Sequence, residues 1–258
     1  MFKTINYIGD AKMKENKYDE KVFFEKYSKM DRSIKGLSGA GEWNTLEKLL
    51  PDFKDKRVLD LGCGYGWHCQ YAMEHGASAV TGVDISENML AVAKEKTNSK
   101  IKYVRSPIED ITFGENTFDV VISSLALHYI ESFDNIAEKV ARCLVPGGDF
   151  AFSVEHPSFT AYGSQDWFYD DTGSILHFPL DNYFYEGKRT ANFLGEKVIK
   201  YHKTLTTYLN GLLQRGFELT AVVEPQPSEH LLKTVKGMVN ELRRPMMLII
   251  TAKKKRNP

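Results

Sequence analysis

The stretch VLDLGCGYG, residues 58–66, constrains this 258-residue chain more than any other. A short apolar run at 57–61 breaks into glycines at 62, 64 and 66, and a helical segment at 67–75, stopped by Gly76, follows at once. An apolar run that ends in glycines and turns straight into a helix predicts a strand–turn–helix unit. Glycine takes φ > 0 without a side-chain clash, so such a turn bends sharply and lets another molecule approach the backbone.

The alternation continues downstream. Strands are predicted at 79–83, 101–104, 118–123 and 149–154, with helices at 87–96, behind the N-cap Ser86, and at 133–143. Pro146-Gly147-Gly148 reads as a turn before the strand at 149–154. The apolar run FDVVIS predicts burial on both faces, which is the mark of a parallel sheet covered by helices. The rhythm stops at Glu155. Residues 155–201 show no clean period, yet 11 of these 47 are Phe, Trp or Tyr, 23% against 12% for the whole chain. A disordered linker would be poor in aromatics, so an ordered insertion or lid is expected. A helix at 203–215, a strand at 217–223, a helix at 230–243 and a strand at 246–251 complete the chain. Before the core, residues 1–20 read as a mobile arm or short helix, and helices are expected at 21–30 and at 42–50, the latter stopped by Pro51.

Composition excludes several classes. Lys+Arg and Asp+Glu are both 34, so the bulk charge is zero and no nucleic-acid partner is expected. The basic run at 253–256 reads as a solvated tail. The cysteines, Cys63, Cys69 and Cys143, have neither disulfide-framework nor zinc spacing, so no metal is expected. No leader-like or membrane-spanning apolar run is present, and a reduced, cytoplasmic protein follows as an expectation.

The glycine turn has two candidate ligands. A dinucleotide fingerprint is GxGxxG; here the spacing is GxGxG, with Trp67 after it and Asp60 just before it. A carboxylate at position 60 would repel a diphosphate and favour a cation. S-adenosylmethionine carries a sulfonium and an ammonium, so it is the better match. Asp84, ending the second strand, could accept hydrogen bonds from both hydroxyls of a ribose; its other reading is a helix N-terminal acid.

With VTGVDIS, FDVVISSLALHYI and LVPGGDFAFSVEH in order behind the glycine stretch, residues 57–154 resemble a class I S-adenosylmethionine-dependent methyltransferase of the type 11 group. The resemblance implies an α/β, Rossmann-like doubly wound sheet of seven strands in the order 3-2-1-4-5-7-6, the last antiparallel, with the aromatic-rich insertion after strand five. It implies one domain: a helical cover at 1–56, a cofactor-binding core at 57–154, the insertion at 155–202 and the end of the core at 203–252. Gly62, Cys63, Gly64 and Gly66 would line the methionine part of the cofactor with help from Asp60. Asp84 would hold the ribose, and Ile85 and Met89 would lie near the adenine. The acidic residue that many members carry after strand three falls near Pro107 here, so Ile108 and Glu109 are the adenine candidates, Glu109 having a solvated charge as its other reading. Ser124 and Leu125 would approach the methionine part by backbone. Tyr27, which could equally be a core aromatic, and Arg32 are further candidates from the cover.

The acceptor side is less marked. Methyl transfer from a sulfonium needs alignment and exclusion of water, and an acceptor oxygen or carbon usually needs a base. His128 is the candidate base, with a hydrogen-bonded rim histidine as the alternative. Glu155 and His156 end strand five and are candidate acceptor contacts. Tyr201, His202, Thr204 and Tyr208 open the returning helix; Tyr201, Thr204 and Tyr208 would share a face that either closes a pocket or packs under the insertion. Trp167, Phe168, Tyr169 and Tyr183 would suit a flat acceptor or form the insertion's own core. No NPPY or DPPY follows strand four, which argues against a nucleic-acid adenine as acceptor. The expected activity is methyl transfer to a small molecule. Non-catalytic cofactor binding and methylation of a macromolecule are the alternatives, and oligomeric state is open.

Overall fold

The structure, a computed structural model, describes residue 14 and residues 16–256. Most of the expected N-terminal arm, residues 1–13 and 15, lies outside the described residues. Among the described residues, a 3-10 turn (Lys17–Asp19) precedes three short helices, α1 (Lys21–Tyr27), α2 (Asp31–Ile34) and α3 (Trp43–Leu46). The helix expected at 42–50 is α3 plus a single 3-10 turn, Glu47–Leu49.

The core alternates as its apolar pattern requires: β1 (Arg57–Leu61), α4 (Trp67–Glu74), β2 (Ala79–Asp84), α5 (Glu87–Lys96), β3 (Lys102–Arg105), β4 (Phe118–Ser124), α6 (Phe133–Cys143) and β5 (Leu144–Glu155). Ser86 caps α5 by accepting the Met89 N–H. After β5 come α7 (Pro157–Thr160), the hairpin β6 (Phe168–Tyr169) and β7 (Ile175–His177), the hairpin β8 (Gly187–Phe193) and β9 (Glu196–His202), α8 (Leu205–Leu213), β10 (Phe217–Val223), α9 (Glu229–Thr234) and β11 (Met247–Lys254).

Seven strands form one sheet in the order β10-β11-β5-β4-β1-β2-β3. The pairs from β3 to β5 are parallel, while β11 runs antiparallel to both β5 and β10. This is the expected 3-2-1-4-5-7-6 topology. Successive strand residues face opposite sides, so Leu59, Leu61, Val121, Phe150 and Phe152 pack under α6 and α8, and Val58, Val80, Val120 and Ile122 pack under α4 and α5.

Four expectations are corrected. The Pro146–Gly148 turn is absorbed into β5, which begins at Leu144, with a register shift opposite Phe118 and Val120 where Gly147 takes φ 83°. The helix expected at 230–243 breaks at Val235, whose backbone is extended, and at left-handed Gly237. Lys253 and Lys254 belong to β11 rather than to a solvated tail; Lys253 pairs with Asp149 and Lys254 bonds the Leu144 carbonyl. The stretch 187–202 is a regular β-hairpin, turned by Leu194 and Gly195, both at φ > 0. No helix among the described residues is long and apolar enough to cross a membrane.

Candidate functional site

The carboxyl ends of β1, β2 and β4 open into one cavity of about 360 Å³, which also reaches β5 and the β8–β9 hairpin. That is where ligands bind in open α/β sheets. At its floor the chain leaves β1 through Gly62 (φ 75°) and Gly64 (φ 53°). A Cβ on Gly62 would sit 2.3 Å from the Ala126 Cβ, whereas a Cβ on Gly64 would meet nothing within 4 Å. Gly62 is therefore set by packing, and Gly64 presents its backbone to open space.

The Asp84 carboxylate at the end of β2 ties this turn down. Its Oδ2 accepts the Gly64 N–H at 2.8 Å and its Oδ1 the Ser86 N–H at 2.9 Å. Each oxygen keeps a further lone pair for a ligand hydroxyl. Burial pushes the Asp84 pKa up, partly offset by these N–H bonds. On the far side of the cavity β4 ends in Ser124 and Leu125. Leu125 takes φ 51°, a conformation that costs a branched residue about 1 kcal/mol. It is held there because its N–H donates to the Ser153 carbonyl at 2.9 Å.

The N-terminal segment roofs the cavity. Asp19 caps the start of α5 from outside, accepting from Ser86 Oγ at 2.5 Å and from the Asn88 N–H at 3.1 Å. This pins the neighbouring Tyr18 over the site, where its hydroxyl meets that of Tyr129 at 3.3 Å. Behind the roof, Glu42 is 1% exposed and its Oε1 accepts from Arg32 at 3.2 Å and from Ser124 Oγ at 3.0 Å. Burial would raise the Glu42 pKa, but Arg32, a backbone hydrogen bond and Ser124 more than offset it and keep it ionised. Glu42 Oε2 and Trp67 Nε1 are buried without a hydrogen-bond partner among the described residues.

The cavity wall gathers most of the expected residues: Tyr27, Arg32, Gly62, Cys63, Gly64, Asp84, Ile85, Met89, Ile108, Glu109, Ser124, Leu125, His128 and Glu155. Asp60 and Gly66 are not part of it. Asp60 is 1% exposed beneath the turn, bonded by the Cys69 thiol at 3.4 Å, and burial pushes its carboxyl up to about 7. Gly66 caps α4, and a Cβ there would strike the Tyr103 hydroxyl at 2.2 Å, so its place is a packing demand.

The acceptor candidates mostly lie elsewhere. The helical face expected for Tyr201, Thr204 and Tyr208 does not form, because Tyr201 and His202 belong to β9 and Thr204 is the N-cap of α8. Thr204 bonds Glu186, and Tyr208 is buried against Phe133 and Phe152. His202 is fully buried between Thr160 Oγ1 and the Tyr183 carbonyl. His156 caps α7 and pairs with Glu224. Trp167 packs on Phe178 and Arg244, while Phe168 and Tyr169 are exposed.

In place of these residues the insertion contributes Phe193, Val198 and Lys200 to the wall. Lys200 Nζ donates to Glu155 Oε1 at 2.5 Å and to Gln165 Oε1 at 2.8 Å, and Gln165 Nε2 donates to Glu155 Oε2 at 2.6 Å. Sequence reasoning passed over Tyr18, Glu42, Trp67, His68, Tyr129 and Lys200. Only Lys200 carried a local signal, as a lysine in step with Val198 and His202 on the inward face of an alternating strand.

Comparison with known proteins decides the family. A model described as a methyltransferase domain matches residues 59–152. A solved structure from Listeria monocytogenes, assigned as an S-adenosylmethionine-dependent methyltransferase, is 56% identical with a TM-score of 0.81, covering 85% of this chain and 99% of that one. The chain belongs to the class I S-adenosylmethionine-dependent methyltransferases. A second methyltransferase structure, from Mesorhizobium loti, is 40% identical with a TM-score of 0.78 over 84% of this chain and all of that one. A ubiquinone biosynthesis O-methyltransferase of Coxiella burnetii is 36% identical over 112 residues, and the match spans 42% of this methyltransferase and 47% of that protein.

S-adenosylmethionine is the methyl donor, and the residues of this methyltransferase suit it. Gly64 leaves room at the turn, Asp84 offers paired acceptor oxygens, and Trp67, whose Nε1 no described residue bonds, lines the same cavity and would suit a carboxylate.

Proposed function

We propose that this methyltransferase acts on a small molecule held at the far end of the same cavity. The observation that carries the reading is the polar and aromatic lining of that end. Beyond Ser124 the cavity is bounded by Tyr18 and Tyr129, by His128 and Glu155, and by Phe193, Val198 and Lys200 of the insertion. Its volume of about 360 Å³ is in the range of small-ligand sites. The short match to an O-methyltransferase supports the same reading.

When bound, S-adenosylmethionine supplies a methyl carbon already activated by its sulfonium. In this reading Asp84 accepts from the ribose hydroxyls, and Ile85, Met89, Ile108 and Glu109 surround the adenine. Gly62, Cys63 and Gly64 follow the chain toward the sulfur. Arg32, oriented by Glu42 behind it, and Trp67 donate to the carboxylate, while Tyr27, Ser124 and Leu125 close the methionine end. The protein's task is to align the acceptor and exclude water, which the Tyr18 roof does.

The test is transfer of radiolabelled methyl from S-adenosylmethionine to a fractionated cell extract. Label in the low-mass fraction is expected. Label confined to protein or nucleic acid would refute the reading.

A further inference from the structure

We propose that the acceptor is a phenol or enol bound as its oxygen anion, held by hydrogen bonds from His128 Nε2 and Lys200 Nζ in a chamber without a strong base. The inference rests on the small-acceptor reading above and names the chemical class that the chamber selects.

His128 sits in the single turn Leu127–Tyr129 after β4 and is 3% exposed. Its Nδ1 accepts the Glu155 N–H at 3.4 Å. The lone pair is thereby committed, and a neutral ring carries its proton on Nε2. The ring is neutral throughout the working range, because burial, reinforced by Lys200, Lys203 and Arg32 and opposed by Glu155, pushes its pKa down to about 3. Nε2 makes no hydrogen bond to any described residue and His128 lines the cavity. His128 is thus a donor toward the acceptor, not the base that its position in the sequence suggested.

Lys200 is 2% exposed and directs two of its three N–H groups to Glu155 and Gln165. No described residue bonds the third, which lies among the rings of Phe193 and Tyr129, 5.4 and 5.9 Å from Nζ. The remaining polar groups are not bases either. Glu155 accepts from Lys200 on Oε1 and from Gln165 on Oε2, and although burial would raise its pKa, Lys200 and Gln165 hold it low, which makes it a poor base. Burial keeps the Tyr18 and Tyr129 hydroxyls protonated. An alcohol or an ammonium arriving here finds only a carboxylate too weakly basic to take its proton. An acidic hydroxyl on a flat conjugated body finds two donors and the rings of Tyr18, Tyr129 and Phe193. Its oxygen gives an electron pair to the methyl carbon, the pair of the broken carbon–sulfur bond stays on sulfur, and no proton has to leave.

The probe is 4-nitrophenol, whose ionised form absorbs in the visible. It is titrated into the full chain saturated with S-adenosylhomocysteine across a pH series. The bound probe is expected to ionise at least about one pH unit below the free probe, about tenfold in ionisation constant. His128→Ala is expected to lose most of that shift, and so is the charge-neutral pair Lys200→Met with Glu155→Gln, which avoids stranding a buried carboxylate. S-adenosylhomocysteine affinity should stay within about twofold in both variants, showing that they fold. If the probe fails to bind, ionises as it does in water, or keeps its full shift in His128→Ala while S-adenosylhomocysteine still binds, the proposal is overturned and the methyltransferase reading stands. Tighter binding of 4-nitrobenzylamine than of 4-nitrophenol would overturn it equally. Failure of the unaltered chain to bind S-adenosylhomocysteine would instead strike the reading beneath.

Discussion

The carboxylate of Asp84 accepts the backbone N–H of Gly64 at 2.8 Å, so the end of β2 and the glycine turn after β1 hold one another in place. The same carboxylate has lone pairs left for a ribose. Asp84→Ala removes the tie and the ligand contact together. A hydrogen bond to a charged group contributes about 1.5–3 kcal/mol, so S-adenosylhomocysteine should bind about 10- to 100-fold more weakly. Isothermal titration measures this, and an unchanged dissociation constant would remove Asp84 from the site.

Gly62 and Gly64 are expected to respond differently to the same change. Gly64→Ala has open space for its methyl and costs only the left-handed backbone, about 1–2 kcal/mol. Gly62→Ala adds a clash at 2.3 Å with Ala126 and should be markedly less stable. Gly64→Ala should still fold and yet lose cofactor affinity, because its methyl fills the space kept for the ligand. Paired urea melts and titrations separate the two effects. Equal destabilisation, or full affinity in Gly64→Ala, would contradict the assignment.

The Arg32–Glu42 pair joins the N-terminal segment to β4 through Ser124. Glu42→Ala leaves Arg32 largely buried without its partner, and losses of about 3 kcal/mol are typical of such cuts. Replacing both together, Arg32→Met with Glu42→Leu, should recover most of the stability but none of the cofactor affinity. Recovery of both would mean that the pair is only structural.

Stability should rise with pH between about 4.5 and 6.5. His68 is pushed down to about 4 and His128 to about 3, in each case by burial first. An unfolded chain takes up a proton at each as the pH falls below about 6.5, and the folded chain does not. Their contribution is thus full above about 6.5 and lost toward acid. Asp60 acts in the opposite sense. Burial moves its ionisation up to about 7, so its contribution is present below the usual carboxylate range and lost as the pH rises through 7. Two protons against one leave a net slope of at most about 1.4 kcal/mol per pH unit, reduced by Asp84, whose pKa burial also raises. His156 and His202 are also lowered by burial and add to it. Urea unfolding at several pH values checks the slope, and Asp60→Asn should steepen it. A flat or falling profile would show that burial of the two histidines is not what governs acid stability.

Taken alone, the sequence determined whatever is written locally. The strand–glycine–helix turn at 58–66, the carboxylate closing β2, the cap at Ser86 and the apolar runs that must be covered on both faces each follow from a few neighbouring residues, and together they specify the sheet and its donor site. Asp60 was legible as an acid before the turn, but its direction was not, because whether it meets the ligand or Cys69 depends on how α4 packs over β1. The acceptor side was decided only by tertiary structure. Tyr18, His128, Glu155 and Lys200 come from four separate elements, and their surroundings arise from burial and from one another. His128 looks like a base in isolation; in the proposed reading, the Glu155 N–H on its Nδ1 and the loss of water around it make it a donor. Hydrogen-bond direction and desolvation are properties of an assembled site, and no run of neighbouring residues records them.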